Sequence, residues 1–237
     1  MSSSTLAAVR KDVRGLASPP DAEFLLGFFK TGPGQYGEGD KFLGIRVPQL
    51  RQLARTHESL PHRQVVQLLR SRWHEERLLA LLLMVGAYKR ADASERDVIH
   101  QSYLDNTEYI NNWDLVDASA EHIVGPHLDP RRFPLLGELA ASDSLWERRI
   151  AIVAPFHWIR KGVFKPTLHV AKLLVNDSHD LIHKAVGWML REVGKRDQDA
   201  EEAFLQAHYQ AMPRTMLRYA IERLPEMRRL QYLHGEA

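Results

Sequence analysis

The chain of 237 residues contains no cysteine. That absence excludes disulfides, thiolate zinc sites, iron–sulfur clusters and cysteine nucleophiles together. Long apolar runs are also missing. The longest, Leu78 to Val85, is far too short to span a bilayer. Charge of one sign is not in excess either: 32 Lys and Arg face 30 Asp and Glu, for a net charge of +2. Any basic surface must therefore come from sorting charges onto one face. No Gly-Lys-Ser/Thr follows the glycine-rich stretch, so a phosphate-cradling Walker loop is excluded, and no Gly-x-Ser-x-Gly anchors a hydrolase triad. His74-Glu75-Glu76 lacks the second histidine of a zinc-protease motif. His179 and His183 are four apart but have no third ligand at supporting spacing. No metal and no cofactor are expected. The N-terminal MSSSTLAAVRKDVRGLA lacks the apolar core of a secretory signal, and a cytoplasmic protein is the simplest expectation.

What is present is helical periodicity. LRQLARTH, HRQVVQLLRS, EERLLALLLMVGAYKR and DLIHKAVGWMLREVGK place apolar residues at three- and four-residue spacings. No stretch alternates polar and apolar residues for long enough to argue for a sheet. Ser94-Glu95-Arg96-Asp97 reads as a capping box with Asp in place of Glu. Pro48, Pro61, Pro130, Pro166 and Pro213 stand where helices could begin, and Pro134 and Pro155 should kink or restart theirs.

The segments also repeat. Arg77, Trp113, Arg149, Lys184 and Arg218 open apolar helices at intervals of about 36 residues, the signature of a helical solenoid. One turn further come Leu81, Asp117, Val153, Trp188 and Glu222 on the same side of each helix. The fold expected is all-α: a curved solenoid of antiparallel helix pairs, with residues 1–237 forming one domain of roughly twelve or more helices. One face would carry two tryptophans, a central carboxylate and four cations.

Two readings stand for Asp117. Among cations and beside an aromatic ring, a carboxylate can stabilise a developing positive charge. A helix carboxylate that pairs with a neighbouring repeat looks the same. Trp113 and Trp188 could hold a sugar or a base by stacking, or pack in a core. Trp73, Trp146 and Trp158 fall outside the register and are assigned to the core. Arg149, Lys184, Arg191 and Arg218 could grip phosphates, or form a solvated face paired with Glu147, Glu192 and Glu222. The segment Thr31–Asp40, with four glycines and a proline, is a loop: a simple turn, or a backbone that approaches a partner closely.

KFLGIRVPQLRQLAR (41–55), NNWDLVDASAEHIVG (111–125), ASDSLWERRIAIV (141–153) and HKAVGWMLREVGK (183–195) resemble the AlkD-type DNA alkylation repair glycosylases, whose members are HEAT-like helical solenoids that hold duplex DNA in a concave cleft. The resemblance implies a glycosylase that hydrolyses the N-glycosidic bond of purines alkylated at N3 or N7 in duplex DNA, without flipping the base into a pocket. It implies Asp117 as the catalytic carboxylate, Trp113 and Trp188 as its aromatic partners and Arg149 as the cleft arginine. Arg51 and Arg191 match positions that contact the DNA backbone; Lys184 and Arg218 complete the expected DNA-binding set. Where many relatives have tyrosine before the glycine-rich loop, this chain has Phe28, which keeps stacking and loses a hydroxyl. A monomer without membrane association is expected. Two other uses fit the same solenoid: a non-catalytic binder of damaged or branched DNA, and a protein-interaction scaffold.

Overall fold

The computed structural model describes residues 4–237 and is built from sixteen α-helices and two 3₁₀ turns, with no β-strand among the described residues. The chain divides into two compact units, one ending at Ile123 and the other beginning at Val124.

The first unit holds α1 (Leu6–Gly15), α2 (Pro19–Phe28), α3 (Val47–Thr56), α4 (His62–Leu69), α5 (His74–Arg90), α6 (Ala93–Leu104) and the short α7 (Trp113–Asp117); α8 (Ala120–His127) runs through the division. Its centre is α5, packed against α3, α4, α6 and α7. The sequence explains this placement. HEERLLALLLMVGAYKR is apolar on nearly every side, so it has no face to offer water, and Leu78, Leu79, Ala80, Leu81, Leu83 and Met84 are all buried. Each such leucine contributes about 1.5–3 kcal/mol by burial.

The second unit holds α9 (Pro134–Ala140), α10 (Leu145–Val153), α11 (Phe156–Ile159), α12 (Lys165–Leu173), α13 (Asp180–Gly194), α14 (Gln198–His208), α15 (Arg214–Ala220) and α16 (Glu226–His234). Its centre is α13, packed against α10, α14 and α15. A side chain at Gly187 would put its Cβ 2.4 Å from the carbonyl oxygen of Met216, so glycine is what lets α15 lie this close to α13.

Prolines mark helix starts largely where the sequence suggests. Pro48, Pro134 and Pro166 occupy first turns, and Pro61 and Pro213 are N-caps. Pro130 differs: it lies in the turn closed by Asp129 and Arg132, and the helix begins at Pro134 instead. Pro155 caps α11 just after α10 ends, so the chain restarts rather than bends. The capping box of α6 sits two residues before the expected one. Asp92 is extended, its carboxylate accepts from Glu95 N–H at 2.9 Å, and Glu95 accepts from Asp92 N–H at 3.2 Å.

The shared phase of the repeat does not make an evenly exposed ladder. Leu81 and Val153 are fully buried. Residues one turn apart share a helix face, so Arg77 and Arg149 are carried inward with them and are buried too. Trp73, Trp146 and Trp158 are half-buried rather than core residues. The indole N–H of Trp158 donates to the Gly125 carbonyl at 2.9 Å, and the guanidinium of Arg72 covers the Trp73 ring.

Candidate functional site

Helix α7 is WDLVD itself. Asn112 precedes it in extended conformation, and its side-chain oxygen accepts from Trp113 N–H at 2.8 Å. Leu115 and Val116 are fully buried and anchor the short helix, while Trp113 and Asp117 stay half-buried at its two ends. Behind it, burial and, to a lesser degree, the nearby Asp117 carboxylate push the phenol of Tyr103 well above its ordinary value. Ser119 sits beside that phenol at 3.0 Å.

A buried charge network holds the front of α7. His74, the first residue of α5, is 2% exposed. Its Nδ1 lies 2.8 Å from Asp40 and its Nε2 2.8 Å from Asp114. Asp40 also accepts from Arg77 at 2.6 Å. Burial opposes a charge on His74, but Asp114 and Asp40 outweigh it and raise the imidazole from 6.5 to about 9. Burial would likewise raise Asp40, yet His74 and Arg77 together hold it below the usual carboxylate range. The glycine-rich loop therefore ends in Asp40, which joins it to α5 and, through His74, to α7. Its neighbours serve the same region: Glu75 accepts backbone N–H groups of Leu43, Gly44 and Ile45, and Glu76 pairs with Arg10 at 3.3 Å. Gly44 has φ +82°, and a Cβ there would meet the Ser18 carbonyl at 2.1 Å, so this crossing of the chain over the start of α2 requires glycine.

Aromatic rings fill the space in front. His74 stacks on Phe42 at 4.6 Å and lies 4.9 Å from Phe29. Phe29 in turn stacks on Trp113 at 5.4 Å, and Phe28 meets Trp113 edge-on at 6.1 Å. Of the expected site residues, the first unit thus brings Phe28 against Trp113, with Asp117 at the far end of the same short helix. Arg51 is exposed on α3 and does not line this space.

In the second unit, Arg149 is 5% exposed and donates through Nη1 to the Leu181 carbonyl of α13 at 2.6 Å, which ties α10 to the helix bearing Lys184, Trp188 and Arg191. Trp188 is half-buried, its ring edge-on to Phe156 at 5.6 Å. Lys184 pairs with Asp180 at 2.6 Å, Arg191 pairs with Glu222, and Arg218 is exposed on α15. His179 caps α13 by accepting from Leu181 N–H at 3.1 Å, and His183 bonds the Asp177 carbonyl. Among the described residues, no cluster of three potential ligands could hold a metal ion.

Sequence reasoning missed Asp40, His74 and Asp114. The only local cue was Asp114 beside Trp113; the partners of His74 lie 34 and 40 residues away.

No curated protein matches the chain. Among solved structures it is similar to a predicted DNA alkylation repair enzyme from Enterococcus faecalis, with a TM-score of 0.69 at 18% identity over 89% of this chain and 97% of that one. It is also similar to AlkD2 from Streptococcus mutans, with a TM-score of 0.55 at 17% identity over 92% and 96%. At these identities the likeness speaks for the fold. A family model described as DNA alkylation repair enzyme matches residues 9–224, nearly the whole of both units, and the chain belongs to that family.

Proposed function

We propose that the protein is a DNA glycosylase that hydrolyses the N-glycosidic bond of purines alkylated at N3 or N7 in duplex DNA. The observation that carries this reading is helix α7 in a member of the alkylation repair family: five residues that present a carboxylate and an indole, both half-buried, on a base of buried apolar and ionic contacts. Alkylation makes the purine a cationic leaving group, so no general acid is required. What remains is the positive charge that grows on the deoxyribose as the bond breaks, as in other glycoside hydrolyses. Asp117 stabilises that charge and orients the attacking water. Trp113 and Trp188 flank the sugar with surfaces that do not compete for the water. Arg149 holds a phosphate near the lesion, and Arg51, Lys184, Arg191 and Arg218 engage the backbone on either side. The enzyme acts as a cytoplasmic monomer; among the described residues, no helix is long and apolar enough to cross a membrane.

The test is release of free base from methylated duplex DNA by wild type and Asp117→Asn side by side. Removing one key electrostatic group should lower the rate by about 10²–10⁴-fold, with DNA affinity kept. Wild-type release from the variant would remove Asp117 from the mechanism.

A further inference from the structure

Glu201, on α14, is 2% exposed, and its Oε1 has no hydrogen-bond partner. Its carboxyl group lies against α13, where a Cβ added at Gly194 would overlap Oε2. Residues three apart on a helix are surface neighbours, so the carboxyl stands beside Arg191 of the same helix. Arg191 has two directions open to it. Its guanidinium reaches outward to Glu222, whose side chain is 49% exposed, while its Nε is buried and has no hydrogen-bond partner. One arginine thus stands between two carboxyl groups, Glu222 at the surface and Glu201 inside.

The other groups around Glu201 are committed elsewhere. Its neighbour Glu202 is held by Arg228 of α16 at 2.8 Å. Tyr232 of α16 is buried, and burial raises its phenol above the ordinary 10.0, which keeps it neutral. Lys195 and Arg196, just beyond α13, both pair with Glu192. Burial first, and then Glu202, raise Glu201 from 4.5 to about 8, while Arg191 acts in the opposite sense. Near neutral pH the carboxyl is therefore protonated and makes little claim on the guanidinium. Once ionised, a carboxylate this deeply buried needs a partner, and the orphaned Nε of Arg191 is the donor beside it.

We propose that Glu201 is a positioning residue: it competes with Glu222 for Arg191 and so sets how readily that guanidinium reaches a DNA phosphate. The phosphate rests on the proposed glycosylase reading; the competition does not. Protonated Glu201 leaves Arg191 turned outward, where a phosphate can displace Glu222. Ionised Glu201 draws Arg191 inward and removes one contact with the backbone. DNA affinity thereby acquires an alkaline limit that originates in the packing of α13 against α14.

Full-length wild type, Glu201→Gln and Arg191→Gln are compared on undamaged duplex DNA, with affinity measured against salt at about pH 7 and about pH 9, on either side of the Glu201 titration. The wild-type slope of log affinity against log salt should shrink by about one between the lower and the higher pH, the mark of one lost phosphate contact. Glu201→Gln should keep the steeper slope at both, and Arg191→Gln the shallower one at both. His74 titrates in the same window in all three proteins, so it drops out of the comparison. Without DNA, the Nε resonance of Arg191 in nitrogen NMR should move with a midpoint of about 8 in wild type and hold still in Glu201→Gln. A wild-type slope that ignores pH, an equal change in Glu201→Gln, or an Arg191 resonance blind to Glu201 overturns the proposal. A resonance that moves in wild type alone, in a protein that binds no duplex DNA at any salt, upholds the competition and overturns the glycosylase reading instead.

Discussion

Arg77 and Arg149 stand at the same phase of the repeat, one in each unit, and both are buried beneath an apolar residue one turn on. Their acceptors differ. Arg77 donates to the carboxylate of Asp40, a pairing that balances its charge inside the unit. Arg149 donates to a backbone carbonyl, that of Leu181, which fixes the guanidinium against α13. Equal places in a repeat therefore do not mean equal roles. In the first unit the cation helps hold the glycine-rich loop and α7 in place; in the second it ties α10 to the helix that bears Trp188. The titratable groups divide similarly. His74 in the first unit is raised, charged and doubly paired, whereas Glu201 in the second, also raised, is a carboxyl 2% exposed whose Oε1 is without a hydrogen-bond partner.

The sharpest way to break this contrast is to remove each arginine. Arg77→Ala strips one partner from a buried ion pair and should cost about 3–5 kcal/mol, lowering Tm by roughly 10 °C. DNA binding by the fraction that stays folded should keep its salt dependence. Arg149→Ala should weaken DNA binding and reduce the slope of log affinity against log salt by about one. A lowered slope in Arg77→Ala, or an unchanged one in Arg149→Ala, would reverse the assignment.

A smaller effect is expected from His74. Its folded value, about 9, lies above the ordinary 6.5, so the stability it contributes is complete below about pH 6.5 and is lost as pH rises through about 9. Denaturant titrations across that window should show stability falling in wild type and a flatter profile in His74→Gln. A wild-type slope in the variant would mean that the loss has another source.

Glu201 makes the complementary case in the second unit. Burial first, then the neighbouring Glu202, raises it from 4.5 to about 8, with Arg191 opposing. The folded state keeps a proton that the unfolded chain releases, so stability falls between about pH 4.5 and pH 8. Glu201→Gln should remove that fall and raise Tm at alkaline pH by at least ~2–4 °C, the shift that accompanies about 1 kcal/mol in a protein of this size. Equal Tm values for variant and wild type there would discount the burial cost.

Much of the fold was readable because its signals are local. Four of the five prolines expected at helix starts stand there, and the apolar spacing of EERLLALLLMVGAYKR marked it as a helix. Trp113 and Asp117 were legible because both lie on one five-residue helix. The aromatic cluster was not, since Phe28, Phe42 and Trp113 come from three separate segments and only packing joins them. The histidine of His74-Glu75-Glu76 was weighed as a metal ligand and serves instead as an ion-pair hub, because its partners arrive through a loop that carries no periodicity. Arg77 and Arg149 looked alike for the same reason: phase sets the side of the helix and says nothing about what waits there.

Helix α2 buries none of its ten residues, which has a consequence for the order in which the molecule comes apart. A segment with so few enclosed contacts opens at a free energy well below that of global unfolding. Ten residues are too few to persist as a helix in water once detached, so lifting and melting become one event. The amides of Pro19–Phe28 should trade hydrogen for deuterium far sooner than those of α5, which makes one wall of the aromatic cluster the part of the first unit that yields first.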